Sequence, residues 1–498
     1  MHIRQLPYVR EAGGVTKPRK FTVGDVLAKI ESEQVKFVDL QFTDVPGRLQ
    51  HVTVPATSLD ADSFEDGVPK LDGSSIRGFT DIHESDMILT PDPSTYGVLP
   101  WSEGPLKTGR LVCDVSKGFG MGRFQCDPRY IAQRAEEEAR KLGYDTTYFG
   151  PEIEFFVFDK VSWDVSTPYA TQSYRIESRE AGWNPGTSSL SNSPPIRFKE
   201  GYFPASPQDS LQDFRSECVS VLSNNFGILC DAHHHEVATA GQCEIDMRFD
   251  SLTNIADSAA TYKYVVKNVA AKRGMVATMM PKPIFLDNAS GMHVHVSLWK
   301  GGENLMFDER DSYAELSQLG RYFGGGLIEH ARALAAITNP TTNSYRRLVP
   351  GFEAPVYIAW SRQNRSANIR IPVNMKGRKY ASRKRLEYRT PDTAANPYLC
   401  FAAILAAGLD GIKQKIEIGN PVDEDIYKLT PERRHALGIK ELPGSLMEAI
   451  QCLQSDNEFL KPIFTHEIIE SIVANGIKEY GEVTRRPHPY EFYLYFDI

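Results

Sequence analysis

Apolar and polar positions follow short-range periods over the first quarter of the chain. Thr22–Glu33 carries apolar residues at helical spacing and predicts an amphipathic helix. Val35–Thr43 and Leu49–Val54 read as strands on either side of Asp44–Gly47, a sequence typical of a turn, so together they predict a hairpin. A Pro-rich connection and a further strand at Gly109–Asp114 complete a small unit of one helix and several strands.

Longer elements are predicted beyond this unit. Asp127 and Pro128 are a typical helix start, and the helix they open ends at Gly143. Thr146–Asp159 predicts a long, mostly buried strand, and Asn254–Lys272 predicts a helix. An apolar helix runs from Asn396 through Leu409.

Two stretches lack a clear period. Residues 160–205 are rich in Ser, Pro, Gly and Asn and predict a long loop excursion, after which a helix runs over Ser206–Asn225. Residues 338–355 are bracketed by Pro and Gly and fit either a lid or a surface connection; the sequence leaves both open.

The chain of 498 residues exceeds the size of one ordinary domain. We therefore predict three parts: an N-terminal extension over residues 1–20, a small domain over 21–125 and a large domain over 126–498. The elements of both domains indicate an α+β fold.

Composition restricts the class of protein. With 41% apolar and 24% charged residues the chain is globular, and its net charge of −8 argues against a nucleic-acid partner. Seven cysteines without a CxxC pair favour a reducing compartment. No apolar leader is visible, and the longest apolar run, Leu399–Leu409, is too short to cross a bilayer. We expect a cytoplasmic protein without a membrane partner.

Acidic residues recur where they are expected to face inward. Glu152 and Glu154 lie two apart on the aromatic-rich strand and therefore share one face. Glu236 and Glu244 flank a turn after three histidines, and His293 begins another alternating strand. Carboxylate oxygens with an occasional imidazole are the ligands that Mg²⁺ and Mn²⁺ prefer. A polar hairpin and a wet edge strand are the alternatives to a metal site.

Arginines accumulate in the last third of the chain. Arg347, Arg365 and Arg370 are followed by Glu387 and Arg389 on one strand face. Interspersed apolar residues suggest that these guanidinium groups point into a cleft, where they recognise phosphate or carboxylate, although surface solvation is the commoner role. Metals with arginines are the apparatus for holding a polyphosphate. The residues thus predict a metal-dependent, ATP-using enzyme with a small anionic substrate.

The motifs, taken together, resemble those of glutamine synthetases of the long prokaryotic type (class I). They occur in order over nearly the whole chain beyond residue 20. They are DGSS at 72–75, HESDM at 83–87, FGPEIEFF at 149–156, HHHEVATAGQ at 233–242, SGMHVH at 290–295, NSYRRLVPGFEAP at 343–355, NRSANIRIP at 364–372 and NPYLCFAAILAAGLDGI at 396–412.

The resemblance implies a fold and a reaction. The fold is a small β-grasp-like N-terminal domain and a catalytic domain with a curved antiparallel sheet flanked by helices. The reaction is ATP-dependent condensation of L-glutamate with ammonia through γ-glutamyl phosphate. It also implies a homo-oligomer, a dodecamer of two stacked hexameric rings with active sites between subunits. A γ-glutamyl ligase for an amine or polyamine and a catalytically silent relative remain as alternatives.

It further implies roles for individual residues. The site would hold two Mg²⁺ or Mn²⁺ ions. One ion would be bound by the carboxylates of Glu154, Glu236 and Glu244. The other would be bound by Glu152, His293 and Glu387. Glutamate would be held by Arg347, Arg389 and the Asn288–Ala289 backbone. The nucleotide would meet Asp231, Met247, Arg248, Phe249, His295 and Ser297. Arg365 and Arg370 would stabilise the phosphoryl group and contact the nucleotide, and Arg365 and Glu353 would also contact glutamate. Asp72, from a neighbouring subunit, would bind ammonium, and Glu353 would shield the intermediate and accept a proton.

Some positions depart from the family pattern. Ala289 stands where the family usually has Gly, and Asp231 where relatives often have Glu. Tyr427 aligns with the tyrosine that some relatives adenylylate, but its surroundings differ, so we expect no modification. Asp81 replaces a feedback-sensing arginine, and we expect no glutamine inhibition by that route.

Overall fold

The computed structural model describes residues 8–10, 16–18, 21–79, 85–118, 120–167, 170–184, 194–350, 354–373 and 375–498. Asp81 and Glu353 lie outside these ranges.

The first 118 residues form a six-stranded sheet, two helices and a separate short hairpin. Their elements are β1 (Tyr8–Arg10), β2 (Thr16–Pro18), α1 (Val23–Ser32), β3 (Phe37–Thr43), β4 (Leu49–Pro55), α2 (Asp62–Glu65), β5 (Val68–Asp72), β6 (Asp86–Pro91), β7 (Gly97–Val98) and β8 (Thr108–Lys117). The sheet order is β4-β3-β8-β6-β5, with β7 paired to β8, and only the β3–β8 pair is parallel. The β1–β2 hairpin lies within residues 1–20, where the sequence predicted an extension without strands.

The rest of the chain builds one 11-stranded sheet, a hairpin and a layer of helices. Its elements are α3 (Pro128–Lys141), β9 (Thr146–Phe158), β10 (Lys160–Asp164), β11 (Ser173–Glu177), α4 (Gln212–Phe226), β12 (Cys230–His235), β13 (Gln242–Met247), β14 (Asp250–Ser251), α5 (Leu252–Lys272), β15 (Val276–Thr278), β16 (Met292–Lys300), β17 (Glu303–Asn304), α6 (Gln318–Glu329), α7 (Ala331–Thr338), α8 (Ser344–Arg347), β18 (Tyr357–Ser361), β19 (Ala367–Arg370), β20 (Leu386–Tyr388), α9 (Pro397–Gln414), α10 (Pro431–Ala436), β21 (Lys440–Glu441), α11 (Leu446–Ser455), α12 (His466–Thr484) and α13 (Pro489–Tyr495).

Strand β9 organises the large sheet. The order is β12-β13-β9-β16-β20-β19-β18-β21, while β14 and β15 also pair with β9 and β17 pairs with β16. The odd-numbered residues of β9 face the core: Phe149 stacks on Phe401 of α9, and Phe155 packs edge-on against Tyr262 of α5. The Tyr262 hydroxyl donates to the Ile153 carbonyl at 2.8 Å. Since side chains alternate along a strand, Glu152 and Glu154 are left on the other face.

Local sequence signals locate several helix starts correctly. Thr22 caps α1 and forms a capping box with Asp25. Asp127 caps α3, its carboxylate accepting from the Arg129 N–H at 3.0 Å. Asn396 caps α9 in the same way. These predictions are confirmed because the caps depend on nearest neighbours in sequence.

Two predicted boundaries are wrong. The stretch predicted as a loop over residues 160–205 contains the β10–β11 hairpin, which pairs only with itself and carries the exposed Trp163 opposite Tyr174. Helix α4 begins at Gln212 and not at Ser206, since Pro207 keeps the preceding residue out of the helical region.

Residues 338–355 hold one short helix, α8, where no regular structure was expected. The choice between a lid and a surface connection stays open, because residues 351–353 lie outside the described ranges.

A buried arginine joins the two sheets. Arg129 of α3 donates to Asp92 and Asp114 beside the small sheet, each at 2.6 Å. It also donates to both carboxylate oxygens of Asp257 in α5, at 2.9 and 3.0 Å. Tyr398 of α9 completes the group by donating to Asp257 at 2.7 Å. The two parts of the chain therefore share one buried ion network.

None of the helices in the described ranges is long and apolar enough to cross a membrane. All seven cysteines, each of which is described, are free thiols.

We expect Arg129→Ala to destabilise the fold by about 3–5 kcal/mol, because it leaves the buried Asp257 without its cation and removes a cation from the part-buried Asp92 and Asp114. Arg310→Ala is the matched control: Arg310 also bonds a carboxylate, Asp308 at 2.9 Å, but its side chain is 87% exposed. The change in the control is expected to stay within about 0.5 kcal/mol. Urea unfolding followed by circular dichroism measures both, and equal midpoints for the two variants would contradict a structural role for the network.

Candidate active site

A cavity of about 560 Å³ opens over the polar face of β9 and its neighbours. Its wall includes five of the six predicted metal ligands, Glu152, Glu154, Glu236, Glu244 and His293. It also includes all the predicted glutamate and phosphoryl contacts among the described residues, Asn288, Ala289, Arg347, Arg365, Arg370 and Arg389. Groups that are up to 237 positions apart in sequence thus meet in one place.

Strand register explains the convergence of these groups. Glu244 of β13 pairs with Glu154 of β9, and His293 of β16 pairs with Glu152. One step along, His295 pairs with Glu387 of β20. Directly paired residues project from the same face about 5 Å apart, so the register places the acidic and imidazole groups side by side.

The protein compensates only in part for the acidic groups in the half of the site next to β13. Burial, opposed by the Gly291 N–H at 2.9 Å, raises the pKa of Glu154 to about 7. Burial and the neighbouring Glu154 and Glu152 raise the pKa of Glu244 well above its ordinary value. The pKa of Asp246 is raised by burial in the same way. Such a group of like charges calls for a cation.

Cations already compensate the half next to β20. Burial opposes ionisation of Glu387, but His295 and Arg389 lower its pKa to about 2. Arg389 donates to Glu387 at 2.6 Å, and Arg370 donates to its other oxygen. Glu152 accepts from His295 at 2.7 Å, and this histidine holds its pKa well below the ordinary value against burial.

The donor set fits divalent cations at two places. Ligand atoms lie within 4.8 Å of one another in the group Glu152, His295, Glu387 and in the group His234, Glu244, Asp246. Asp246 Oδ1 is buried and has no hydrogen-bond partner within the described ranges. Burial, followed by the charge of Arg389, lowers the pKa of His293 to about 4, which leaves the neutral imidazole that a metal requires.

The sequence analysis missed several residues of this wall. Asp246 and His234 carry a signal that was available, because Asp246 alternates with Glu244 and His234 with Glu236. Gln242 also lies in the wall and bridges Glu154 at 3.1 Å and the Ala289 carbonyl at 3.2 Å.

The missed Tyr202 and Phe203 stack on each other, with ring centroids 4.0 Å apart, and Phe203 meets His234 edge-on. Both come from residues 160–205, where no periodic pattern indicates a role.

Arg347 is built into the site floor. It is 2% exposed and donates to the carbonyls of Thr390 at 2.8 Å and Arg389 at 3.2 Å. A side chain at Gly291 would come within 2.7 Å of its guanidinium. The backbone thus fixes the direction of this cation. Arg365, by contrast, is exposed at the mouth of the cavity.

Apart from Arg365 and Arg370, the predicted nucleotide contacts do not line this cavity, and His295, Ser297 and Phe249 lie further along the same sheet face. Gly150 pairs with His295, and Tyr148 pairs with Ser297 and contacts Phe249 edge-on. A Cβ at Gly150 would lie 3.3 Å from the Cβ of Phe249. Glycine at this position therefore leaves room for Phe249 to lie against the strand.

Asp231 and Arg248 form an exposed ion pair at 2.7 Å beside this face. Met247 differs from the other predicted nucleotide contacts, because its side chain lies in the core.

Two predicted catalytic residues do not line the cavity within the described ranges. Asp72 ends β5 of the small sheet, where it is exposed and accepts from the Ser74 hydroxyl at 2.7 Å and the Ser74 N–H at 3.0 Å. Glu353 lies outside the described ranges, but the neighbouring Ala354 borders the cavity. The Ala354 carbonyl accepts from the Tyr427 hydroxyl at 2.6 Å.

Comparison with known proteins adds independent findings. The family description "Glutamine synthetase, beta-Grasp domain" matches residues 34–118, and "Glutamine synthetase, catalytic domain" matches residues 125–495. The chain is 55% identical to a glutamine synthetase of Sulfolobus acidocaldarius, over 95% of this chain and 98% of that protein. It is 48% identical to a glutamine synthetase of Aquifex aeolicus, over 96% of this chain and 100% of that protein. A solved Plasmodium falciparum glutamine synthetase superposes with a TM-score of 0.85 at 27% identity, covering 96% of this chain and 100% of that one.

We expect Mn²⁺ to raise the thermal midpoint of the metal-free protein, and more so at pH 8 than at pH 6. The folded-state pKa of Glu154 is about 7 against an ordinary 4.5, so the metal-free fold loses stability as pH rises between these values. Below neutral pH the metal must also displace a proton. Differential scanning fluorimetry measures the change in thermal midpoint. At a hundredfold excess of Mn²⁺ over its dissociation constant, the corresponding gain in the free energy of unfolding is about 2.7 kcal/mol.

Glu244→Gln is expected to lose most of this shift, whereas Glu309→Gln, on the exposed surface, is expected to keep it. Equal shifts in both variants would remove Glu244 from the metal site.

Proposed function

The chain belongs to the glutamine synthetase family, and from this premise we propose which residues carry out each part of its reaction. It is a glutamate–ammonia ligase that condenses L-glutamate with ammonia at the expense of ATP, with a divalent metal. The observation that carries the assignment of residues is the convergence of carboxylates, imidazoles and guanidinium groups on one cavity through strand register.

The two metal sites use the two halves of the site. Glu154, Glu236 and Glu244 hold one Mg²⁺ or Mn²⁺, and Glu152, His293 and Glu387 hold the second. The pairs Glu154–Glu244 and Glu152–His293 across the strands support this division. His234, Asp246 and His295 lie close enough to orient these ligands. When bound, such cations neutralise phosphate oxygens as Lewis acids.

The anionic substrates are held by the guanidinium groups. Arg347 and Arg389, with the Asn288–Ala289 backbone, hold glutamate; the fixed direction of Arg347 supports this. Arg365 and Arg370 stabilise the phosphoryl group as it passes from ATP to the γ-carboxylate. The nucleotide lies along the face formed by residues 148–150, Phe249, His295 and Ser297, beside the Asp231–Arg248 pair, with Met247 contributing backbone only.

The reaction needs an activated carboxylate and a neutral amine. A carboxylate is a poor electrophile, so transfer of the γ-phosphoryl group first forms γ-glutamyl phosphate and releases ADP. Asp72 attracts ammonium, and Glu353 takes its proton before ammonia displaces phosphate. Hydrogen bonds from Ser74 lower the pKa of Asp72, which keeps its charge. Glu353 also shields the labile acyl phosphate from water.

Asp72 serves a neighbouring subunit. It does not line the cavity of its own chain within the described ranges, whereas five of the six proposed metal ligands and the arginines proposed to hold glutamate and the phosphoryl group do. Sites completed between subunits require a closed assembly, and we propose a dodecamer of two hexameric rings. The C-terminal helix α13 also supports a partner subunit, because Tyr493 within it and Phe496 just after it are 79% and 81% exposed.

Location and domain division complete the proposal. Free thiols at every cysteine suit a reducing cytoplasm. The division at residue 125 into a small and a catalytic domain remains a prediction, as does the absence of modification at Tyr427.

We expect phosphate release only when ATP, glutamate, ammonium and Mg²⁺ or Mn²⁺ are all present. A coupled phosphate assay that omits each component in turn measures this, and putrescine or ethanolamine in place of ammonium is expected to give little turnover. Faster turnover with either amine would reassign the enzyme to the amine ligases. Glu353→Ala is the catalytic control and is expected to bind ATP while losing about 10²-fold or more of its rate.

We expect a chain ending at Pro487 to form a smaller assembly than the full chain, because it lacks the exposed aromatic groups of α13. Size-exclusion chromatography with light scattering measures the mass, and far-ultraviolet circular dichroism checks that the truncated chain is folded. An unchanged mass would exclude α13 from the assembly contacts.

A further inference from the structure

A second cavity, also of about 560 Å³, lies between the small sheet and the helices of the large domain. The β3–β4 turn forms one wall, and α5, α7, α9, α11 and α12 contribute the others. It shares no lining residue with the active-site cavity. Its size is typical of small-molecule sites.

Positive charge dominates its polar lining. Arg48, Arg77, Lys263 and Lys267 face one carboxylate, Glu479. Within the described ranges, none of these four cations has an Asp or Glu oxygen within 4.0 Å. Arg129, by contrast, is matched by three carboxylates.

The side chains of Lys263 and Arg77 donate to neutral groups. The Arg48 backbone N–H donates to the Asp44 carboxylate at 2.7 Å, and the charge of Arg48 opposes the burial that raises the pKa of Asp44. Lys263 donates to the Ala395 carbonyl at 2.8 Å, and Arg77 donates through Nε to the Asn475 side chain at 3.2 Å. Glu479 accepts from the Thr342 N–H at 3.2 Å. Ammonium and guanidinium groups carry three and five N–H donors, so most donors at this cavity remain available for a ligand.

Lys263 and Lys267 lie one turn apart on α5, so their side chains share one face. Burial, and then the charge of Lys267, lowers the pKa of Lys263 to about 8. Burial, and then Arg48, lowers the pKa of Lys267. The three groups are thus near enough to repel one another, and an anion among them would relieve that repulsion.

The remaining wall is largely apolar. Val45 of the turn, Ile337, Leu399, Ile450 and Ile472 all contribute to it. This mixture matches a compact organic molecule with two or more negative charges better than a metal or a neutral sugar.

We propose that this cavity binds a small organic polyanion bearing carboxylate or phosphate groups, held by Arg48, Arg77, Lys263 and Lys267. The site joins the two domains. Asn396 at the start of α9 donates to the Asp44 carbonyl at 3.0 Å and the Val45 carbonyl at 3.2 Å. Gly47 has φ +93°, and a Cβ there would lie 3.0 Å from the Asn396 Cα. A ligand would therefore add its contacts to a turn that already packs closely on the large domain.

A ligand bound in this cavity would also contact the segment that carries Asp72. Arg77 follows Asp72 by five residues, and the next residue, Gly78, accepts through its carbonyl from Ser471 of α12 at 2.9 Å. Restraint of this segment by the polyanion is the part of the inference that depends on the proposed role of Asp72. Binding itself does not depend on it.

Isothermal titration of the full-length, metal-loaded protein tests the site, with succinate and glycerol 3-phosphate as probes. ADP is present at saturation to occupy the nucleotide position of the active site, and a probe that entered the glutamate position instead would bind Lys267→Gln and the unaltered protein equally. We expect saturable binding of at least one probe, and which of them binds identifies the charged group. Lys267→Gln and Arg48→Gln are each expected to weaken binding at least tenfold. Arg365→Gln, at the active-site mouth, is the matched control and is expected to bind as the unaltered protein does.

Absence of saturable binding for both probes would overturn the proposal. So would binding that Arg365→Gln abolishes and Lys267→Gln leaves intact, since the probe would then lie in the active site. Part of the Lys267 side chain is open to solvent, and it has no ion pair within the described ranges, so its substitution is expected to leave the fold intact. Arg77→Gln provides a second variant if it does not. The titration reads binding without turnover, so its failure is distinguishable from failure of the proposed reaction.

Discussion

The structure depends on placing like charges side by side on the buried face of one sheet. Strand β9 carries Glu152 and Glu154 toward the cavity while its other face packs on α5 and α9. Neighbouring strands bring Glu244 and His293 into direct register with them. Burying carboxylates together costs free energy, and only hydrophobic packing behind the sheet and positive charge in front of it offset that cost. The site and the core are therefore two faces of the same strand.

Charge is distributed unequally along this face. Toward β13 the acids raise one another's pKa, whereas toward β20 Arg389 and Arg370 hold Glu387 ionised. A cation in the half beside β13 would meet carboxylates only, whereas a cation in the half beside β20 would share its carboxylates with Arg389 and Arg370. This asymmetry suits the proposed reaction, in which a polyphosphate would meet metal ions in both halves and guanidinium groups beside β20.

Much of the site could be predicted from the sequence because strand alternation is local. The spacing of Glu152 and Glu154 fixes their common face, and the caps Thr22, Asp127 and Asn396 fix three helix starts. Which strands pair, and in what register, depends on contacts far apart in sequence, so the closeness of His295 to Glu152 could not be derived. The β10–β11 hairpin and Tyr202 were missed because exposed or loop residues carry no burial pattern. The assembly of these groups was expected from family resemblance and not from spacing.

The ion network of Arg129 has a geometric consequence for a ring of subunits. Because this arginine and the Asn396 contact fasten the small sheet to the large domain, Asp72 is carried by the same rigid body as its own chain's cavity. In an assembly where Asp72 completes the adjacent site, a rotation of one subunit would change two active sites at once. It would move the walls of the subunit's own cavity, and it would move the Asp72 that the subunit supplies to its neighbour. Variation in catalytic geometry would then be correlated around the ring and not independent from site to site.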